Sequence, residues 1–285
     1  MNNLTLRQKY HDRICEEIIK VEQNRGVESQ NSADIDSGFG HDIAWGIANR
    51  IGCSCNYDRV SEPTIEKCFV DITKDYLERV FETFQNLHQA YWYFPIAEST
   101  LLSDQYRHLS DLETVIGKSE SLISALSKAN VLYPNIVVGR CYTSDEGGNF
   151  QQLLVSTERP TTDLIPLQSS ESSPPRFILH ASISCKWTIR SDRSQNARSE
   201  ALNLIRNRKG RLPHIVAVTA EPMPTRIASL ALGTGDLDCV YHFALHEMQQ
   251  TLADLGNEDQ LDMLNMLVEG RRLRDISDLP FDLVT

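Results

Sequence analysis

Lys186, Glu200 and Ser184, with Arg190, Asp192 and Arg193 between them, fall within residues 184–200. If residues 176–187 form a strand, its side chains alternate. Phe177, Leu179, Ala181, Ile183, Cys185 and Trp187 then share one apolar face, and Ser182, Ser184 and Lys186 share the other. A lysine on a covered face needs a carboxylate or phosphate partner. The segment 192–208 reads as a helix buried through Ala197, Ala201, Leu204 and Ile205. At roughly 100° per residue, Glu200 leans about 60° from the centre of that stripe, back toward the strand. Lysine plus acids is the equipment of metal-assisted phosphodiester hydrolysis. Carboxylates hold Mg²⁺, the cation polarises phosphate and acidifies water, and the lysine steadies the developing charge. A structural Lys–Glu ion pair fits the same spacing, and spacing alone does not choose between them.

Arg190, Asp192 and Arg193 stand where strand passes into helix. Arginine reads guanine O6 and N7 with both arms of its fork, and a carboxylate accepts from cytosine N4. Helix capping by Ser191 or Asp192, with arginines in solvent, is the alternative.

The elements that must position these residues follow from pattern. Helices are expected over 4–22, up to about 51, over 63–88 and over 109–129, with the polar stretch 24–40 a loop. Strands are expected at 130–140 and near 149–157, then 176–187, 214–220 and 238–242, with helices at 192–208, 225–232, 243–256 and 258–269. Residues 156–175 read as loop. The expected fold class is α/β, a mixed central sheet flanked by helices. One domain spans 1–285, with a mainly helical part over 1–129 and a sheet part over 130–285.

The chain has 285 residues and net charge −11, with 41% hydrophobic and 24% charged content, as in soluble globular proteins. The acidic total argues against a nonspecific nucleic-acid binder, but its distribution does not. Residues 176–214 hold nine Lys/Arg against Asp192 and Glu200, which is +7, leaving −18 elsewhere. Such a focus suits a polyanion at one place, and equally a solvated helix face. The charged, amphipathic N-terminus and the lack of a long apolar run suggest a cytoplasmic protein. Seven cysteines without a C-x-x-C pair suggest reduced thiols rather than a zinc ribbon or disulfide framework. His242 and His246 lack the motif of a zinc helix, and GTGD at 233–236 reads as a turn.

The stretch LHASISCKWTIRSDRSQNARSE resembles the active-site and recognition segment of the NgoMIV-type restriction endonucleases, a CCGG-cutting branch of the PD-(D/E)XK nucleases. NLIRNRKGRLPHIVAVTAEP, ALGTGDLDCVYHFAL and LRDISDLPFDL are similar to that family too. The resemblance implies a Mg²⁺-dependent enzyme that cuts duplex DNA with 5′ stagger, as a homodimer pairing into a tetramer. It implies Lys186 as catalytic lysine, Glu200 as the helix acid with Ser184 in the place that acid vacates, and the Cys185 carbonyl as a metal ligand. Arg190, Asp192 and Arg193 would read CCGG and Asp34 the outer G·C pair, giving GCCGGC. Two positions depart from the pattern. Asn135 stands where the family has a metal-binding aspartate, and Val70 falls, by ungapped placement, where it has a glutamate, next to Asp71 with Glu66 one turn earlier. Either cleavage is impaired, or acids such as Asp145 or Glu66 compensate.

Overall fold

The structure is a computed structural model and describes residues 5–24, 27–31, 38–54, 60–85, 91–116, 133–141, 177–233 and 235–284. The expected strand near 149–157, Asp34 and Asp145 lie outside the described residues.

The central sheet has six strands in chain order. They are β3 (Tyr91–Tyr93), β4 (Ile136–Cys141), β5 (Phe177–Lys186), β6 (His214–Thr219), β7 (Cys239–His242) and β8 (Leu273–Asp275). The first three pair antiparallel and the last four parallel, so β5 belongs to both halves. Parallel neighbours need a crossover. Here α5 (Ser191–Asn207) joins β5 to β6, α6 (Pro224–Ala231) joins β6 to β7, and α7 (Leu245–Leu255) with α8 (Glu258–Glu269) joins β7 to β8. The expected α/β class, a mixed sheet flanked by helices, is what the chain forms.

The apolar faces explain the core. Leu179, Ala181, Ile183 and Cys185 of β5 are buried, as are Val216 and Val218 of β6. Helix α3 (Glu62–Gln85) lies against β5, and Phe69 meets Trp187 edge-on at 5.2 Å between ring centroids. Helix α1 (Leu6–Glu17) packs on α3, and α2 (Gly38–Ile51) packs on α7. Thr5 and Gln8 close a capping box at the start of α1, each satisfying the other's backbone N–H.

The β4–β5 ladder shifts register between Val138 and Gly139, so His180 is the extra residue. Gln105 repairs the gap: its side-chain amide donates to the Leu179 carbonyl at 2.8 Å and accepts from the Leu179 N–H at 2.9 Å. A side chain at Gly139 would meet the Tyr93 ring at 2.6 Å, so this crossing requires glycine.

Several details differ from the sequence reading. The polar stretch after α1 is not simply a loop: β1 (Val21–Asn24) pairs antiparallel with β2 (Val27–Gln30). Backbone pairing in so short a hairpin does not need an apolar pattern. Helix α4 is described over Arg107–Ile116, after a 3₁₀ turn at Ala97–Leu102, and the chain closes with α9 (Leu279–Val284). Reduced thiols throughout are also corrected, because Cys15 and Cys53 form a disulfide with Cα atoms 5.0 Å apart. The contact between α1 and α2 brings them together, whereas Cys68, Cys141, Cys185 and Cys239 are free. Among the described residues no helix is long and apolar enough to cross a membrane.

Candidate active site

Lys186 ends β5, opposite Thr219 in the parallel register with β6. Its side chain is only 14% exposed, and its Nζ lies 3.8 Å from Glu200 Oε1 on α5. The lean predicted for Glu200 from helical spacing is therefore present. Glu200 Oε2 and Ser184 Oγ, both buried, have no hydrogen-bond partner among the described residues.

Asn135 immediately precedes β4, and its side-chain Oδ1 accepts from the Cys185 N–H at 2.8 Å. This bond ties the start of β4 to the end of β5. Cys185 itself is buried, and burial pushes its thiol far above the ordinary range, the Lys186 charge only partly opposing. A thiol so held is no nucleophile.

Of the acids named as able to compensate, Glu66 is the one that the described residues bring to the cleft. It lies on α3, one turn before Val70, and the crossing of α3 over β5 brings it to the strand end. Glu66 Oε2 accepts the Trp187 N–H at 3.3 Å and Oε1 accepts from Arg193 Nη1 at 2.6 Å. Burial raises its pKa, and Arg193, the Trp187 N–H and Lys186 pull against that rise. Val70 supplies an apolar wall, and Asp71 is exposed to solvent. Glu66, Val70, Asn135, Cys185, Lys186 and Arg193 line one open cleft of about 440 Å³. The sequence did carry a signal for Glu66. Positions three and four apart share a helix face, so Glu66 lies beside Phe69 and Val70.

The recognition candidates separate. Arg190 occupies the cap position of α5 without a side-chain cap bond, and its side chain is 52% exposed. Ser191 and Asp192 are the first helical residues rather than the cap. Arg193 is 17% exposed, donates to Thr188 Oγ1 at 2.7 Å and pairs with Glu62 as well as Glu66. Glu62 also meets Arg190 Nη1 at 3.6 Å. His242 and His246 do not form a pair: His242 is fully buried with Nδ1 accepting the Ala244 N–H, and His246 is exposed. Arg206, Arg208, Lys209 and Arg211 are exposed around the end of α5.

A curated relative decides the family: the type II restriction enzyme NgoMIV of Neisseria gonorrhoeae is 43% identical over 282 residues, covering 97% of this chain and 96% of that protein. The family model described as NgoMIV restriction enzyme matches residues 10–285. The chain belongs to the NgoMIV restriction enzyme family. Family membership makes it a type II restriction endonuclease, a site-specific deoxyribonuclease. Among solved structures, a chain from a complex of restriction endonuclease PspGI with substrate DNA matches at 14% identity, TM-score 0.26, with 86% of this chain and 91% of that chain covered. A score that low supports no further conclusion. The basic residues Arg206, Arg208, Lys209 and Arg211 stand exposed around the far end of α5 from Arg190 and Arg193.

Proposed function

We propose that this chain reads GCCGGC in duplex DNA and hydrolyses a phosphodiester bond in it with Mg²⁺, slowly as written because Asn135 stands where the family resemblance calls for an aspartate. The observation that carries this reading is the cleft in which Lys186 and Glu66 meet Asn135 beside Glu200.

The donors fit a hard divalent cation. Two carboxylates, an amide oxygen and the Cys185 carbonyl are all oxygens, and Glu200 Oε2 is a buried acceptor without a partner among the described residues. Among the described residues no three His, Cys, Asp or Glu side chains form a ready-made cage. That suits Mg²⁺, which is commonly held by one or two carboxylates together with substrate phosphate. Glu200, Glu66 and Asn135 would hold it, with the Cys185 carbonyl. When bound, it polarises phosphate and makes water more acidic. Lys186, with its Nζ 3.8 Å from Glu200, steadies charge growing on the phosphate. Trp187 and Arg193 fix the Glu66 carboxylate, and Cys185 fixes the Asn135 amide.

Arg190, Asp192 and Arg193 read the central CCGG and Asp34 the outer pair in this proposal. The whole chain acts as one endonuclease domain that dimerises and pairs into a tetramer engaging two sites. A specific DNA binder that no longer cuts is the second reading, favoured by the neutral Asn135 amide. A gel shift in Ca²⁺ on GCCGGC and scrambled duplexes tests recognition, with tight binding expected only on GCCGGC. Incubation of the same duplexes in Mg²⁺ then separates the readings: slow cutting supports the enzyme, and none supports the binder. Equal shifts on both duplexes would remove the recognition assignment.

A further inference from the structure

Arg193 touches both parts of the proposed machinery. Its Nη1 holds Glu66 Oε1 at 2.6 Å, and Glu66 lines the cleft with Lys186 and Asn135. Its Nη2 pairs with Glu62, which also meets Arg190. One guanidinium therefore caps a cleft carboxylate while the duplex is absent.

A guanidinium and a divalent cation compete for the same carboxylate oxygens, because both are positive and both need close contact. A guanine edge offers the Arg193 fork two acceptors at once. Phosphates at a wrong sequence offer no such fixed pair at the place where the fork must point. Arg193 has reason to leave Glu66 only where guanine replaces it.

We propose that Arg193 couples base reading to cation uptake: it occupies Glu66 in free protein and on noncognate DNA, and releases that carboxylate to a divalent cation when its fork turns to guanine. This rests on the reading of the cleft as the nuclease site and of Arg193 as a base reader. Arg193 is thereby a specificity-determining residue for cleavage as well as for binding. Glu62 takes part as the holder of the second arm, keeping the forks of Arg190 and Arg193 together beside the cleft. Discrimination in cutting then exceeds discrimination in binding, since a wrong sequence leaves the site short of one acid.

The test is Mn²⁺ binding to the full-length protein, followed by the electron paramagnetic resonance signal of the free ion. In the unmodified protein, saturating GCCGGC duplex should raise Mn²⁺ affinity at least tenfold over scrambled duplex, after subtraction of Mn²⁺ held by each duplex alone. Arg193→Gln should raise affinity without DNA by a similar factor. Arg193→Lys, which keeps a cation near Glu66, should stay close to the unmodified protein, and Arg193→Gln with Glu66→Gln should lose the gain. Equal uptake with cognate and scrambled duplex would overturn the coupling even if Arg193→Gln failed to fold. A gain that persisted in the double variant would overturn it too. If no form takes up Mn²⁺ in any duplex, the cleft is not the metal site and the coupling falls with it. Uptake in both duplexes alike leaves the cleft standing and sinks the coupling alone.

Discussion

Asn135→Asp replaces one amide nitrogen by an oxygen at the junction of β4 and β5 and should greatly raise Mg²⁺-dependent cutting. The geometry permits it. Asn135 already accepts the Cys185 N–H at 2.8 Å through one oxygen, a bond that a carboxylate keeps. The amide nitrogen becomes a second oxygen, free to face the cleft. A unit negative charge about 3 Å from a divalent ion is worth about 2.8 kcal/mol even with full water screening, a factor of roughly a hundred in metal affinity. Adding a third carboxylate near Glu66 and Glu200 also adds repulsion when no cation is present, so metal-free DNA binding should weaken, by about tenfold at most. The assay is linearisation of a plasmid carrying GCCGGC by the chain as written and by Asn135→Asp, side by side over a Mg²⁺ series. The variant should cut at least a hundredfold faster at low Mg²⁺ and half-saturate at lower Mg²⁺. Cutting by the unmodified chain within a few-fold of the variant would show that another acid does the work, and the role given to Asn135 would be wrong.

Arg190, half exposed at the start of α5, should read bases: Arg190→Ala should cost about 1–3 kcal/mol on GCCGGC in a Ca²⁺ gel shift and much less on scrambled duplex, whereas equal losses would make it a phosphate contact. Asp275 is 1% exposed, and although burial pushes its pKa up, hydrogen bonds and charge from Arg7 with donors from Ser277 bring it down to about 2. A depressed carboxylate stabilises above its unfolded value near 3.8 and loses that contribution as pH falls through about 2, so urea melts should lose about 2 kcal/mol across that window. Arg7→Ala leaves Asp275 and Glu247 without their shared cation and should cost about 3–5 kcal/mol in the same melts at pH 7, and a loss below 1 kcal/mol would refute the buried-network account. Reducing the Cys15–Cys53 disulfide, which spans 38 residues, should lower stability by about 3–4 kcal/mol on the loop-entropy scale, and unchanged thermal melting in reductant would contradict it.

The residues legible in the sequence were those whose placement is local. Lys186 and Ser184 followed from strand alternation, and the lean of Glu200 followed from helical period, because both depend on one element and its neighbour. Glu66 was named only as one of several nearby acids, since its place in the cleft is set by the crossing of α3 over β5, more than a hundred residues away in sequence. Counting without gaps pointed to Val70, which shares the face but carries no oxygen. The engagement of Arg193 with Glu62 and Glu66 was hidden for the same reason. Strands β3 and β8 span three residues each, too few for alternation to register. The hairpin of β1 and β2 is polar, and the Cys15–Cys53 pair has no spacing signature. The mixed sheet flanked by helices was legible in outline, because strands alternating with amphipathic helices over residues 176–242 must pack as layers.

The claim that the cleft around Lys186 is the site of phosphodiester hydrolysis has one direct test. Asn135→Asp and Asn135→Asp with Lys186→Ala are compared for cutting of GCCGGC plasmid in Mg²⁺ and for binding of the same site in Ca²⁺. Loss of all measurable cutting in the double variant is predicted, with binding within about tenfold, or 1.4 kcal/mol, of the single variant. Undiminished cutting by the double variant would place the chemistry elsewhere in the molecule.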